Sequence, residues 1–293
     1  MSSRSNEDRL GVDEGLLETA DAPPTAHQAG GGHEPTLKFV VPTDFVNLPS
    51  KGKFYPTGHA LYNQEVVEIR HMTAKDEDIL TSRTLLKKGV ALDRMLQNLI
   101  VDKTIKLNDL LIGDKNALVV ATRINGYGAD YNTEIKCPSC GEKQEYTFDL
   151  NNLHYTTPGE ELYNEYNVTT SNNNTFLVPL PKTDYVVELK LLTGADEQRL
   201  TGLTTKRKKH KLPEAIRTDQ LKSIIASING VTDKNIVNDF IDSLPALDSR
   251  YLRTVYAKIM PAMDVEHDFE CAECEFQTTL EVPFTTDFFW PQR

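Results

Sequence analysis

An α+β fold of two duplicated strand–helix–β-hairpin units, joined by one zinc-ribbon-like four-cysteine site, follows from three features of the sequence. The first is the cysteines. Cys137-Pro-Ser-Cys140 and Cys271-Ala-Glu-Cys274 are all four that the 293 residues contain. The second is an internal repeat. Val66-Val-Glu-Ile-Arg-His-Met-Thr-Ala-Lys-Asp-Glu-Asp-Ile-Leu-Thr81 matches Val186-Val-Glu-Leu-Lys-Leu-Leu-Thr-Gly-Ala-Asp-Glu-Gln-Arg-Leu-Thr201 at an offset of 186 − 66 = 120. The third is periodicity: strand-like alternation flanks both cysteine pairs, and helical spacing precedes them.

Composition narrows the class. At 293 residues the chain has room for one large or two medium domains. An apolar share of 39% with 26% charged residues is that of an ordinary globular protein. The formal net charge of −11 argues against a general nucleic-acid binder, because phosphate contacts require a broad basic surface. No apolar run reaches the roughly 18 residues of a membrane-spanning helix. Met-Ser-Ser-Arg-Ser-Asn-Glu-Asp8 lacks the apolar core of a secretion signal, so a reducing cytoplasm is the expected setting.

Residues 1–36 read as a disordered tail, with too few large apolar side chains to offset ordering entropy. Leu10, Leu16 and Leu17 are spaced to offer a partner one short helical face. The first unit spans 37–150. Pro49-Ser-Lys-Gly52 is turn chemistry, and a strand is predicted over Leu61–Ile69. Thr73-Ala-Lys-Asp76 is a helix start, with threonine as cap and the acid three residues on. Ile79 and Leu80, then Leu92, Met95, Leu96, Leu99 and Ile100, mark the buried faces of two helices. A third helical stretch covers Leu107–Ile124, with a break and new cap expected at Gly113-Asp114. Gly126-Tyr-Gly128 then leads into the first hairpin, which carries Cys137 and Cys140 at its tip.

Residues 151–175 form a connector, and 176–293 the second unit. The cysteines recur at 271 − 137 = 134, and Asp114 and Asp248 keep that offset. About 14 residues have therefore been gained after Thr201. They are assigned to a basic loop, Thr205-Lys-Arg-Lys-Lys-His-Lys-Leu-Pro213. Helices are predicted at Glu214–Ile228, Asp233–Ser243 and Ser249–Met260, before the second hairpin.

Paired Cys-x-x-Cys turns let two thiolates of each turn reach one ion at about 2.3 Å, which makes Cys137, Cys140, Cys271 and Cys274 the expected ligands of one structural zinc. A thiol-redox pair would sit at a helix N-terminus, whereas strands follow both pairs here. Disulfides need an oxidising compartment. Four thiolates on Zn²⁺ leave two net negative charges, and Glu270, Glu273 and Glu275 add more. Lys136 and Lys143 are the expected compensation across the site. His267 is a further candidate ligand, although a lone histidine in a strand is more commonly packed or solvated. Duplication explains the spacing: each copy supplies half a site, and a pseudo-twofold pairing brings the halves together.

No catalytic constellation appears. Asp76-Glu77 and Asp196-Glu197 occupy first turns of helices, where the dipole favours carboxylates, so they read as structural. Gly126-Tyr-Gly128 is too short for a phosphate loop, and no nucleophile has a recognisable base partner.

Four phrases carry a family likeness: Asp44-Phe-Val-Asn-Leu-Pro-Ser-Lys-Gly-Lys-Phe-Tyr-Pro56, His71-Met-Thr-Ala-Lys-Asp-Glu-Asp-Ile-Leu-Thr-Ser82, Leu111-Ile-Gly-Asp-Lys-Asn-Ala117, and Gly126-Tyr-Gly-Ala-Asp-Tyr131 leading to Cys137-Pro-Ser-Cys-Gly141. Over about residues 38–150 the chain resembles the baseplate hub proteins of T-even-like tailed phages. The resemblance implies a structural or assembly protein of a contractile tail, binding other hub and tail proteins, with no enzymatic site. It implies work in the host cytoplasm during assembly, either as a lasting part of the virion baseplate or as an assembly factor alone. The rival expectation is a zinc-ribbon adaptor touching nucleic acid through the basic stretch 206–211.

Overall fold

Short antiparallel strand pairs interleaved with helices make up the computed structural model, which describes residues 40–284 and 286–289 apart from 172, 212 and 214. The tail assigned to residues 1–36, with Leu10, Leu16 and Leu17, lies outside the described residues. From Val41 onward the chain is one compact unit.

Strand β1 (Thr43–Asn47) pairs with β2 (Val66–Arg70), setting Val46 opposite Val67 in the core. The strand begins five residues later than predicted, because 61–63 form a turn and 64–65 belong to no strand. Helix α1 (Ala74–Thr81) starts where the cap predicts: Asp76 accepts the Thr73 N–H at 2.9 Å and its hydroxyl at 2.8 Å. Then come α2 (Arg83–Lys88) and α3 (Ala91–Leu99), the latter burying Met95, Leu96 and Leu99. A single 3₁₀ turn at Leu107–Asp109 precedes α4 (Ile112–Tyr127). The helical stretch therefore breaks at Leu110-Leu111, and Gly113-Asp114 lie inside the first turn of α4 rather than at a break.

Strands β3 (Asp130–Lys136) and β4 (Lys143–Asp149) form the first hairpin. The connector is more ordered than its turn-rich composition suggests, with β5 (His154–Thr156), α5 (Glu160–Glu165) and β6 (Thr169–Thr170). Next are β7 (Phe176–Pro179), β8 (Val186–Leu189), α6 (Gly194–Lys209) and α7 (Ile216–Ile224). Strand β9 (Ile225–Ile228) follows α7 directly. A single helix over Glu214–Ile228 is thus corrected: its last four residues pair with β8 and complete the antiparallel sheet β6-β7-β8-β9. Short apolar runs fit helix or strand equally by period, and here the open edge of β8 decides. Helices α8 (Lys234–Ser243, capped by Asp233) and α9 (Ala246–Ile259) lie close to prediction. Strand β10 (Ala262–Asp264) pairs back to β5, and β11 (Glu266–Glu270) with β12 (Gln277–Glu281) forms the second hairpin.

The basic stretch is not a loop. Lys206–Lys209 are the last turn of α6, which has 16 residues where α1 has 8. Much of the inserted length extends the helix, and a terminal turn of cations suits its C-terminal dipole.

One continuous core runs from β1 and β2 through α3 and α4 to β7, β8 and α9. At its centre the starts of α4 and α6 meet. Ile112 N–H donates to Leu192 O at 3.1 Å, and Gly194 N–H to Leu110 O at 2.9 Å. A Cβ on Gly194 would sit 3.0 Å from Leu107 O, so this close approach favours glycine. Lys115, on α4, bridges Asp93 and Glu197 at 2.7 Å each. Burial alone would lower its pKa, but the two carboxylates outweigh that and raise it.

Candidate metal centre

The two hairpin tips are the same local structure made twice. In the first, Cys137 N–H donates to Glu142 O at 2.8 Å and Gly141 N–H to Cys137 O at 3.0 Å. In the second, Cys271 N–H donates to Phe276 O at 3.0 Å and Glu275 N–H to Cys271 O at 2.9 Å. Closing such a turn requires a left-handed residue after the second cysteine. Gly141 supplies it at φ 77°, and Glu275 adopts it at φ 55° despite its side chain.

All four predicted ligands come together. The four Sγ atoms lie within 4.8 Å of one another. Cys137 Sγ is 3.7 Å from Cys274 Sγ, and Cys140 Sγ is 3.7 Å from Cys271 Sγ. Each contact joins the first cysteine of one tip to the second of the other, as a local twofold arrangement requires. The spacing is too long for a disulfide, whose S–S bond is about 2.05 Å. A tetrahedral ion with Zn–S bonds of about 2.3 Å sets its sulfurs about 3.8 Å apart. The donor set therefore fits a tetrahedral thiophilic ion.

Cys137 and Cys271 are buried, whereas Cys140 and Cys274 face solvent. Backbone N–H groups of Cys140 and Ser139 donate to the Cys137 sulfur, and chiefly the first brings that thiol down to about 6 against desolvation. At Cys140 the Glu142 amide lowers the pKa, but desolvation and the thiols of Cys274, Cys137 and Cys271 push it up to about 12. The two thiols of the first tip are thus driven in opposite directions, as expected where ionisable sulfurs crowd one point.

The support around the sulfurs comes from residues that spacing did not reveal. On β4, Gln144 Nε2 donates to Glu270 O at 3.3 Å, while its Oε1 accepts the Ala272 N–H at 3.0 Å, bracketing Cys271. Tyr146 donates to Asp268 O at 2.7 Å, and its ring meets Phe269 edge-on at 5.6 Å. Phe269 packs with Cys137 and Cys271 in a small apolar cluster of its own. The signal was available: Gln144, Tyr146 and Phe148 alternate on one face of β4, with His267, Phe269 and Cys271 on one face of the opposing hairpin.

His267 stands outside the sulfur cluster, edge-on to Phe148 at 5.2 Å. The expected charge compensation is corrected in part. Lys143 pairs with Glu134 of its own hairpin at 2.5 Å, where the β3–β4 register brings them close, rather than reaching across to the second tip. Lys136 stays over its own tip, with its Cε 3.4 Å from where a Cβ on Gly141 would stand.

The paired acids are structural. Asp76 takes a two-point bond from Arg70 at 2.7 and 2.9 Å, and Glu77 accepts the Tyr127 hydroxyl. Asp196 holds Lys190 and Arg199, and Glu197 holds Lys115. Among the described residues no helix is long and apolar enough to cross a membrane.

The family model described as T4 bacteriophage base plate protein matches residues 41–290. Neither the curated proteins nor the solved structures yield a match.

Proposed function

The chain belongs to the T4 bacteriophage base plate protein family, and from that premise we propose that it is a structural or assembly protein of the baseplate hub. In this reading it acts by binding other hub and tail proteins, with one zinc held by Cys137, Cys140, Cys271 and Cys274. The observation that carries it is the convergence of all four sulfurs from two hairpins onto one tetrahedron-sized space. Bound zinc supplies only charge neutralisation and geometry, since four thiolates leave no open position for a substrate. Residues 37–150 and 176–293 are read as two copies of one unit, linked through 151–175. The clasp then stiffens the hairpin end of both copies, and the chain offers a partner a defined surface rather than a reaction. It works in the host cytoplasm during assembly and joins the virion baseplate.

The test combines metal analysis with assembly. Protein purified without added metal should carry about one zinc per chain. Cys137→Ser and Cys274→Ser should each lose it, lower the melting temperature in one transition, and reduce recovery of assembled baseplates. Zinc-free protein with an unchanged melting temperature in both variants would overturn the reading.

A further inference from the structure

Resting on that reading of a protein-binding component, we propose that a pocket between β8, α6, α7 and α8 is a docking site for an acidic segment of a partner protein. The pocket has a volume of about 280 Å³ and is lined by Lys190, Arg199, Lys222 and Lys234, with no carboxylate in its wall. Ile225 and Val237 form an apolar floor.

The nearby acids offset these cations only in part. Asp196 is shared by two of them: Lys190 Nζ lies 3.0 and 2.9 Å from its two oxygens, and Arg199 is 2.9 Å from one. Asp242 holds Lys222 at 3.0 Å. Asp233 caps α8, at 2.8 and 3.2 Å from the N–H groups of Asn235 and Ile236, and keeps its charge, so the four cations face three carboxylates and retain a small excess. Lys234 is exposed at the start of α8, where the remaining amides add positive potential.

The first half of the chain has no such excess. At the offset of 120, Lys190 and Arg199 correspond to Arg70 and Ile79. Arg70 is fully committed to Asp76, and position 79 carries no charge. The contrast extends along the chain: residues 190–234 hold ten Lys and Arg against five Asp and Glu, in a protein of net charge −11. A concentrated positive site on an acidic protein recognises opposite charge and sets the register of a complex.

The chemistry favours carboxylates on a peptide over a polynucleotide. No aromatic side chain lines the pocket to stack a base. The volume falls just below the usual range for small-molecule pockets of about 300–1,000 Å³, and suits one or two acidic side chains entering over an apolar floor.

The experiment uses the full chain and follows fluorescence anisotropy of labelled hexaglutamate and of labelled oligodeoxythymidine, at low and physiological salt. Hexaglutamate should bind and weaken with salt. Lys222→Glu combined with Lys234→Glu should reduce binding by at least about tenfold, while Lys87→Glu with Lys88→Glu on α2 leaves it unchanged. If the first double variant fails to fold, Arg199→Gln with Lys234→Gln, both at exposed positions, decides by the same criterion. Absent peptide binding, binding indifferent to the pocket variants, or tighter binding of the oligonucleotide would each overturn the proposal. The metal centre lies on other elements, so zinc-free protein that still binds the peptide would sink the clasp and spare the pocket.

Discussion

Asp114 and Asp248 stand 134 positions apart and accept the same hydrogen bond: the N–H that follows a Leu-Pro pair, from Ser50 at 2.9 Å and from Lys182 at 3.0 Å. Both carboxylates are fully buried at the third position of the first turn of equivalent helices, α4 and α9. A hydroxyl completes each site, Ser50 Oγ on Asp114 at 2.6 Å and Thr183 Oγ1 on Asp248 at 2.8 Å. Each half thus ties the connection between two paired strands, β1–β2 or β7–β8, to the helix before its hairpin. The Tyr55 hydroxyl adds a third donor to Asp114 at 2.7 Å and also accepts the Leu111 N–H.

Replacing Asp114 by Ala strands these buried donors. The expected cost is about 3 kcal/mol, read from urea unfolding, with Asp114→Asn costing less because one acceptor remains. Burial outweighs the hydrogen bonds and raises the Asp114 pKa above the ordinary carboxylate value. The folded state then holds its proton more tightly than the unfolded state. The contribution is fully present below the unfolded value of about 4 and is lost as pH rises through the folded one. The stability of wild type relative to Asp114→Asn should therefore decline from about pH 4 upward. A difference that grows with pH would contradict this assignment.

Arg123 is fully buried and donates to the carbonyls of Phe288, Gly128 and Asp130 at 2.7, 2.6 and 3.0 Å. Among the described residues no carboxylate forms an ion pair with it, and a planar fork suits three acceptors in different directions. Arg123→Lys should cost about 2–4 kcal/mol in chemical denaturation, because carbonyls lose donors and the cation stays buried. An unchanged midpoint would show that the Phe288 turn holds without it.

Gln144 links the hairpins through both ends of its amide. Gln144→Ala should leave all four cysteines in place yet weaken metal retention by about tenfold, measured by competition with a chelator. Gln144→Glu should do the same, since it cannot donate to Glu270 O and adds charge beside the thiolates. Retention equal to wild type in both would assign the alignment of the tips to Tyr146 and Phe269 instead.

The end of α6 separates charge from structure. Lys208 and Lys209 are exposed, whereas half-buried Arg207 pairs with Asp219 of α7 at 3.1 Å. Lys208→Glu with Lys209→Glu should shift stability by no more than about 0.5 kcal/mol. Arg207→Glu should cost about 1–2 kcal/mol, by setting two carboxylates together. Thermal melts of the two variants compare them directly, and equal loss would mean that the helix end packs as a whole.

What the sequence determined by itself is what local physics controls. Thr73 and Thr193 start helices because a capping side chain needs only the residue three positions on, and Asp233 caps α8 for the same reason. The cysteine tips were legible because a two-residue gap nearly dictates their turn. Tertiary structure alone decided the rest. Ile225–Ile228 became strand because β8 had an open edge, against a period that fits helix as well. Asp114 reads as a helix-start residue and is a buried acceptor only because Ser50 and Tyr55 fold onto it across 64 and 59 positions. The basic stretch reads as a loop by composition, yet the continuing backbone ladder of α6 keeps it helical. Lys143 lies near the cysteine tips in sequence, but the β3–β4 register gives it to Glu134. Alternation put Gln144 and Tyr146 on one face of β4, but their partners, like those of Lys115, are set by how distant elements pack, which no short window of sequence contains.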